Sequence, residues 1–248
     1  LNCILDPIMI FGLLGFPALG TTGAALATVL SQIIAMSIGF FINVRFNHDV
    51  RLHLRGFRPD GGILGEIVRI GLPAAVQQSL LSILTVGLNR ILMPFSQTAV
   101  SFYGVYYKLQ NFLFMPVYGL NNALIPMIGY NFGAKNRRRI ERITRYALYL
   151  AVGIMAVGTV LFELIPVPLL RLFDASDAML ALGVPAIRII SVSFCFAGAS
   201  VILSGCMQGL GRGNESLWVA LLRQLIVILP AAVLLSRLSL TAVWLAFP

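Results

Sequence analysis

Lys135–Ile165 reads KNRRRIERITRYALYLAVGIMAVGTVLFELI. The stretch opens with Lys135, Arg137, Arg138, Arg139, Arg142 and Arg145, then runs from Tyr146 to Ile165 with Glu163 as its one charged residue. A helix that crosses a bilayer needs about 20 mostly apolar residues. Basic residues collect in the short loops on the cytoplasmic side of such helices. The stretch therefore predicts a membrane-spanning helix that starts in the cytoplasm.

Working outward, the same pattern recurs. Further spans are predicted near 21–43, 68–94, 98–130, 178–208 and 217–236, with a partial one at 1–15 and another opening near 240. The runs are too long for transmembrane strands and lack the alternation of a barrel. The loops alternate in charge. Segment 43–69 carries Arg45, Arg51, Arg55, Arg58 and Arg69, and the loop near 210–216 carries Arg212. Between them, 16–20 and 95–97 carry no charge, and 166–177 sets Arg171 against Asp174 and Asp177. A missed or invented span would break this alternation, so the helix count is self-consistent.

Composition agrees. Hydrophobic residues make up 58% of the 248 and charged residues 11%, where soluble domains carry about 25% charged residues. The net charge of +9 would suggest nucleic acid for a soluble basic protein; here it follows from the loops, and no nucleic-acid partner is expected. Cys3, Cys195 and Cys206 lie in apolar segments without zinc-ligand spacing. The chain has no signal-peptide pattern and starts within an apolar run, which reads as a fragment. Segment 44–65, with Asn47, His48, Asp49, Pro59, Asp60, Gly61 and Gly62, reads as a linker between two bundles, and His48 and His53 as solvated loop residues. Thr22-Gly23-Ala24-Ala25-Leu26-Ala27 is faintly repeated as Thr241-Ala242-Val243-Trp244-Leu245-Ala246. That offset suggests a parent built from two related halves.

Asp6 is the residue most in need of explanation. A carboxylate within a span costs about 2.5–3.5 kcal/mol on insertion scales and calls for a partner or a function. Asn2 lies one turn earlier on the same face. Pro7 lacks the N–H that would bond the Cys3 carbonyl. A carboxylate, an amide oxygen and a free carbonyl are hard ligands suited to an alkali cation, and Thr28 on the next helix can add a hydroxyl. A surface-solvated Asp6 is the bland alternative. Gln77, Gln78, Gln110, Asn111, Asn121 and Asn122 fall within spans. Interhelical hydrogen bonds explain most of them; Gln77, Gln78 and Asn121 are the candidates for a cavity wall. Lys108 and Arg188 read as snorkelling or paired within the bundle. Gly129-x-x-x-Gly133 and Gly205-x-x-x-Gly209 predict close helix packing. Enzyme signatures such as His-Glu-x-x-His, Gly-x-Ser-x-Gly or a phosphate loop do not occur, so no enzyme activity is expected.

Several phrases stand in order along the chain: Asn2-Cys3-Ile4-Leu5-Asp6-Pro7-Ile8, Gly23-Ala24-Ala25-Leu26-Ala27-Thr28, Ser31-Gln32, Gly71-Leu72-Pro73, Pro126-Met127-Ile128-Gly129-Tyr130-Asn131-Phe132-Gly133-Ala134-Lys135-Asn136 and Gln208-Gly209-Leu210-Gly211-Arg212. Together they resemble the MATE (multidrug and toxic compound extrusion) family, in its MepA-like and DinF-like branches. The resemblance implies an all-α polytopic membrane protein built as a two-lobe helical bundle. Residues 1–43 would be the last two helices of the N-lobe, 44–65 the cytoplasmic inter-lobe linker, and 66–248 helices seven to eleven of the C-lobe with the start of the twelfth. It also implies a monomeric antiporter in the plasma membrane, the bacterial inner membrane. An inward Na⁺ or H⁺ gradient would drive export of amphipathic, often cationic, xenobiotics, with no cofactor beyond that ion. In the family an Asn, an Asp four residues on and the Thr of a Gly-Ala-Ala-x-Ala-Thr phrase help form the N-lobe cation site, which implies that role for Asn2, Asp6 and Thr28. NorM-like members carry acids in the seventh and tenth helices. This chain has Gln77, Gln78 and Asn89 in one and Ser193, Phe194, Cys195 and Ala197 in the other, so no C-lobe cation site is expected. The alternative reading is a flippase for a lipid-linked precursor, which would need a more cationic cavity.

Overall fold

A computed structural model describes residues 1–46 and 60–247. His48 and His53 lie outside the described residues. The chain divides into two compact units, Leu1–Asp60 and Gly61–Pro248. All regular structure among the described residues is helical.

In the first unit, α1 (Asn2–Phe11) and α2 (Gly20–Phe46) form an antiparallel pair. Gly12 ends α1 in the left-handed conformation, with φ 72°. A Cβ there would lie 2.8 Å from the Phe16 carbonyl oxygen and the Ala18 nitrogen, so only glycine suits this tight reversal. The buried residues of α2 are Gly23, Ala27 and Ser31, a stripe of small side chains at four-residue spacing. Helices in lipid associate through such stripes because close backbone approach replaces hydrophobic driving force.

The second unit begins with α3 (Gly61–Leu92), α4 (Gln97–Gly133) and α5 (Arg137–Leu164). A short α6 (Pro166–Arg171) follows, then α7 (Asp177–Ser191) and α8 (Phe194–Gly209). α9 (Gly213–Leu221), a π-helical turn (Leu222–Ile228) and α10 (Leu229–Ser236) run on as one span. α11 (Leu240–Val243) and a 3₁₀ turn (Trp244–Ala246) close the chain. Five described helices are long and apolar enough to cross a membrane, six if α7 and α8 count as one bent span. Side-chain caps start four of the helices. Ser96, Asn136, Ser176 and Ser239 accept hydrogen bonds from the backbone N–H of Ala99, Arg139, Met179 and Ala242.

α4, α5 and α8 pack side by side, and α9 lies against α3. Rings fill the core. Phe194 meets Phe114 and Phe162 edge-to-face at 5.9 and 5.3 Å, and Trp244 meets Phe102 at 5.4 Å. The last contact seats the C-terminal turn on α4.

Two departures from the expected spans have local causes. The run 178–208 is not one straight helix: α7 and α8 meet at 51°. Ser191 and Ser193 turn their hydroxyls back onto the carbonyls of Arg188 and Ile190, at 2.9 and 2.8 Å, which favours a bend. The Ser191 carbonyl, exposed by the break, accepts a bond from the Thr159 hydroxyl on α5 at 3.0 Å. The second departure is the π turn just before Pro230. Proline removes the N–H that would bond the Ile226 carbonyl and crowds it, and a wider turn relieves both. The glycine expectation holds on one helix only. A Cβ on Gly205 or Gly209 would collide with Asn121 or Ile125 of α4, whereas Gly129 meets only the Gly209 carbonyl at 3.4 Å and Gly133 faces open space.

Candidate functional site

The first candidate lies in the α1–α2 pair. Asn2 accepts a hydrogen bond from the Ser31 hydroxyl at 3.0 Å. At the other end of the pair the Leu19 N–H donates to the Met9 carbonyl at 3.1 Å, and Gly23 sits against that same carbonyl. These two fixed points set the register and put Asp6, between them, opposite the level of Ala27 and Thr28. Asp6 is half-buried, and its Oδ1 is sealed from solvent without a hydrogen-bond partner among the described residues. Pro7 lies in the interior of α1, so the Cys3 carbonyl lacks its helical donor. Thr28 is exposed and donates to its own Ala24 carbonyl at 2.9 Å, leaving its lone pairs free.

The structure thus joins Asn2 to Ser31 rather than to Thr28. Ser31 is legible in the sequence as the third member of the Gly23–Ala27–Ser31 stripe, but nothing there marks it as a site residue. An orphaned carboxylate oxygen, an amide oxygen already polarised by a hydroxyl, and a released carbonyl make a donor set that fits a hard monovalent cation. Among the described residues no group of three His, Cys, Asp or Glu side chains could hold a metal.

The second candidate is a cavity of about 590 Å³ within the second unit, walled by α3, α4, α8 and α9. Gln77, Gln78 and Asn121 all line it. Gln77 is locked in a polar cluster. Its Nε2 donates to Ser204 at 3.1 Å, while its Oε1 accepts from Gln208 at 2.9 Å and from Ser216 at 3.4 Å. Ser204 and Ser216 share a further short hydrogen bond. The cluster ties α3 to α8 and α9, so Gln77 serves as a structural tie as well as a wall. Ser216, which nothing in the sequence marks as a site residue, is fully buried in it. Asn121 differs: its Oδ1 is buried without a partner.

A smaller cavity of about 300 Å³ shares Tyr107, Asn111, Tyr118, Arg223 and Gln224 with the first and adds Tyr103, Tyr106 and Phe114. The combined space is therefore aromatic at one end and amide-lined at the other. It matches the usual size and make-up of a small-molecule pocket, at about 300–1,000 Å³ with a few convergent polar groups. Arg223 also enters this wall. Arg188 is not in the cavity; it pairs with Glu163 at 3.8 Å beside the α7–α8 bend.

Known proteins bear on this arrangement. Two staphylococcal proteins called "Multidrug export protein MepA" are similar to the chain. That of Staphylococcus saprophyticus is 28% identical over 92% of this chain and 49% of its own. That of Staphylococcus aureus strain N315 is 29% identical over 98% of this chain and 53% of its own. The chain spans about half the length of these curated relatives. Among solved structures, an outward-facing multidrug resistance MATE family transporter of the MOP superfamily superposes with a TM-score of 0.90 at 27% identity, over 100% of this chain and 55% of that one. A MOP superfamily transporter from Pyrococcus furiosus, whose binding pocket is described as of reverse polarity, gives 0.90 at 26% identity, over 100% and 56%. The MatE family model matches residues 73–233, most of the chain, so this multi-pass helical membrane protein belongs to the MatE family.

Proposed function

We propose that the chain is part of a cation-coupled antiporter, acting as a monomer in the plasma membrane, that exports amphipathic small molecules. The observation that carries this reading is the cavity of about 590 Å³, walled by amides and continuous with an aromatic recess, inside a helical membrane bundle. A pocket of that make-up grips ligands by shape and stacking and suits many of them. Export from similar proteins named for multidrug export supports the same direction of transport.

Coupling is assigned to Asn2, Asp6 and Thr28, with Ser31 holding Asn2 in place. Na⁺ or H⁺ would enter as the second substrate. Asp6 supplies the charge, and its unpartnered Oδ1 is the atom that gains most from a cation or a proton. The carboxylate is fixed on a helix next to a proline, where a change of occupancy can change the bend of α1. Export then requires that the ion favour one conformation and the drug another.

The test uses the full-length protein in proteoliposomes loaded with a fluorescent drug. Efflux is driven by a Na⁺ gradient in one set and a proton gradient in another. Asp6→Asn is expected to abolish efflux driven by the coupling ion while leaving drug binding and melting temperature intact. Efflux by Asp6→Asn at the unaltered rate under both gradients would refute the assignment.

A further inference from the structure

Among the described residues Arg223 is the one charged side chain in the wall of either cavity, and it lines both. The residue is exposed rather than packed away. None of the three ion pairs among the described residues includes it, and it meets no acidic side chain within 4.0 Å. A guanidinium keeps its proton under all ordinary conditions. A permanent cation within a span is costly unless an anion, water or a ligand answers it.

Other polar groups stand in the same walls. Gln224 is 4% exposed and lines both cavities, yet its side-chain oxygen has no partner. Asn121 is in the same condition in the larger cavity, as is the Tyr106 hydroxyl in the smaller one. These atoms are sealed within the packing, and the two amide oxygens can only accept, so they select no anion; the charge of a ligand is answered by Arg223. Arg223 and Gln224 both sit on the π-helical turn, a distortion that tends to occur at functional positions.

We infer that this cavity binds an amphipathic organic anion, with its carboxylate, sulfonate or phosphate on Arg223 and its apolar body against Phe196 and Phe247, aromatic residues of this wall that keep accessible surface. Arginine presents a planar fork of donors that matches such oxyanions in pairs. The amide of Gln224 and the hydroxyls of Tyr107 and Tyr118 add neutral donors. A cationic ligand finds no carboxylate in this wall and meets Arg223 as a like charge. The inference rests on the cavity being the substrate site, and it supplies the charge of the substrate.

Titration calorimetry on the full-length protein in detergent, with naphthalene-2-sulfonate and trimethyl(2-naphthyl)ammonium, tests it. The two probes share one ring system and carry opposite charge. The sulfonate is expected to bind more tightly than the ammonium. Arg223→Gln should weaken the sulfonate by about tenfold or more, the usual scale of a charged hydrogen bond, and leave the ammonium no weaker. Arg223→Lys retains the charge and should recover part of the loss, which separates a charge effect from misfolding. Sulfonate binding by Arg223→Gln within twofold of the parent, or ammonium binding tighter than sulfonate in the parent, overturns the inference. Asn111→Leu tests the reading beneath it: loss of both probes together supports a shared cavity site. If neither probe binds, or Asn111→Leu changes neither, the cavity reading falls and the inference with it. Displacement of the sulfonate by dihexanoyl phosphatidylglycerol would identify the natural anion as a lipid headgroup. Failure to displace it would identify a soluble anion.

Discussion

Gly23→Ala is the sharpest structural perturbation available in the α1–α2 pair. A Cβ at position 23 would sit 2.2 Å from the Met9 carbonyl oxygen and 2.6 Å from its carbon. Both are backbone atoms, so no rotamer change can clear the clash. Ordinary contact begins near 3.4 Å, so α1 must move away by about 1.2 Å. The Asn2–Ser31 hydrogen bond, now 3.0 Å, would open past 4 Å if the whole helix moved by that amount, beyond hydrogen-bonding range. Overpacking costs about 1–3 kcal/mol, and the lost bond about 0.5–1.5 kcal/mol. The better helix propensity of alanine offsets about 1 kcal/mol. The clash wins by roughly 0.5–3.5 kcal/mol, which corresponds to a measurable fall in melting temperature. Gly39 lies on the same helix, and a Cβ added there would meet nothing within 4 Å. Gly39→Ala should therefore melt at or slightly above the parent temperature. The assay is thermal unfolding of the full-length protein in detergent, followed by aggregation or tryptophan fluorescence, with ion-driven efflux measured alongside. Gly23→Ala melting at or above Gly39→Ala would refute the proposed close approach, and with it the register that places Asp6 between Asn2 and Met9.

Two further outcomes follow from the second unit. Gln77→Leu removes the hub that bonds Ser204, Gln208 and Ser216; it should cost about 1–3 kcal/mol, seen as a lower melting temperature, and a stability equal to the parent would mean the cluster does not tie α3 to α8 and α9. Ser191→Ala removes hydrogen bonds of 2.7 Å to Glu163 and 2.9 Å to the Arg188 carbonyl and should cost about 1.5–3 kcal/mol as a charged hydrogen bond, whereas Glu163→Gln keeps an acceptor oxygen and should cost clearly less; the reverse order would place the stabilisation in the Arg188–Glu163 pair instead.

The helical architecture was legible because lipid imposes a simple rule. Every backbone polar group must be satisfied within its own helix, so length and apolarity alone mark the spans. Breaks in that rule were not legible. Ser191 and Ser193 are visible in the run 178–208, but that their hydroxyls turn back and break the helix is not, because Thr159 and Glu163 of α5 complete the hydrogen bonding at the break. Pro230 was visible, yet its consequence, a π turn spread over the preceding residues, needed the backbone. The first site was half legible. Asp6, Asn2 and Pro7 stand out because a carboxylate in a span demands a reason, but the partner of Asn2 is Ser31, and that choice depends on the register fixed by Gly23.

The cavity shows a different kind of limit. Mid-span amides are easy to notice, and Gln77, Gln78 and Asn121 suggest a neutral wall in which cationic drugs would be tolerated. All three do line the cavity, but Gln77 spends its hydrogen bonds on Ser204, Gln208 and Ser216 and has little left for a ligand. Arg223 has the opposite character. By distance along the helix it looks like a residue that reaches the membrane surface, yet it sits on the π turn in the wall of both cavities, beside the buried Gln224. A polar residue that satisfies its neighbours contributes to stability, and one that none of its neighbours satisfies is available to a ligand. Judged by that difference, the charge of the cavity wall among the described residues is set by a single guanidinium rather than by the more numerous amides, and on the inference drawn above substrate charge adds a discrimination that shape and stacking alone do not supply.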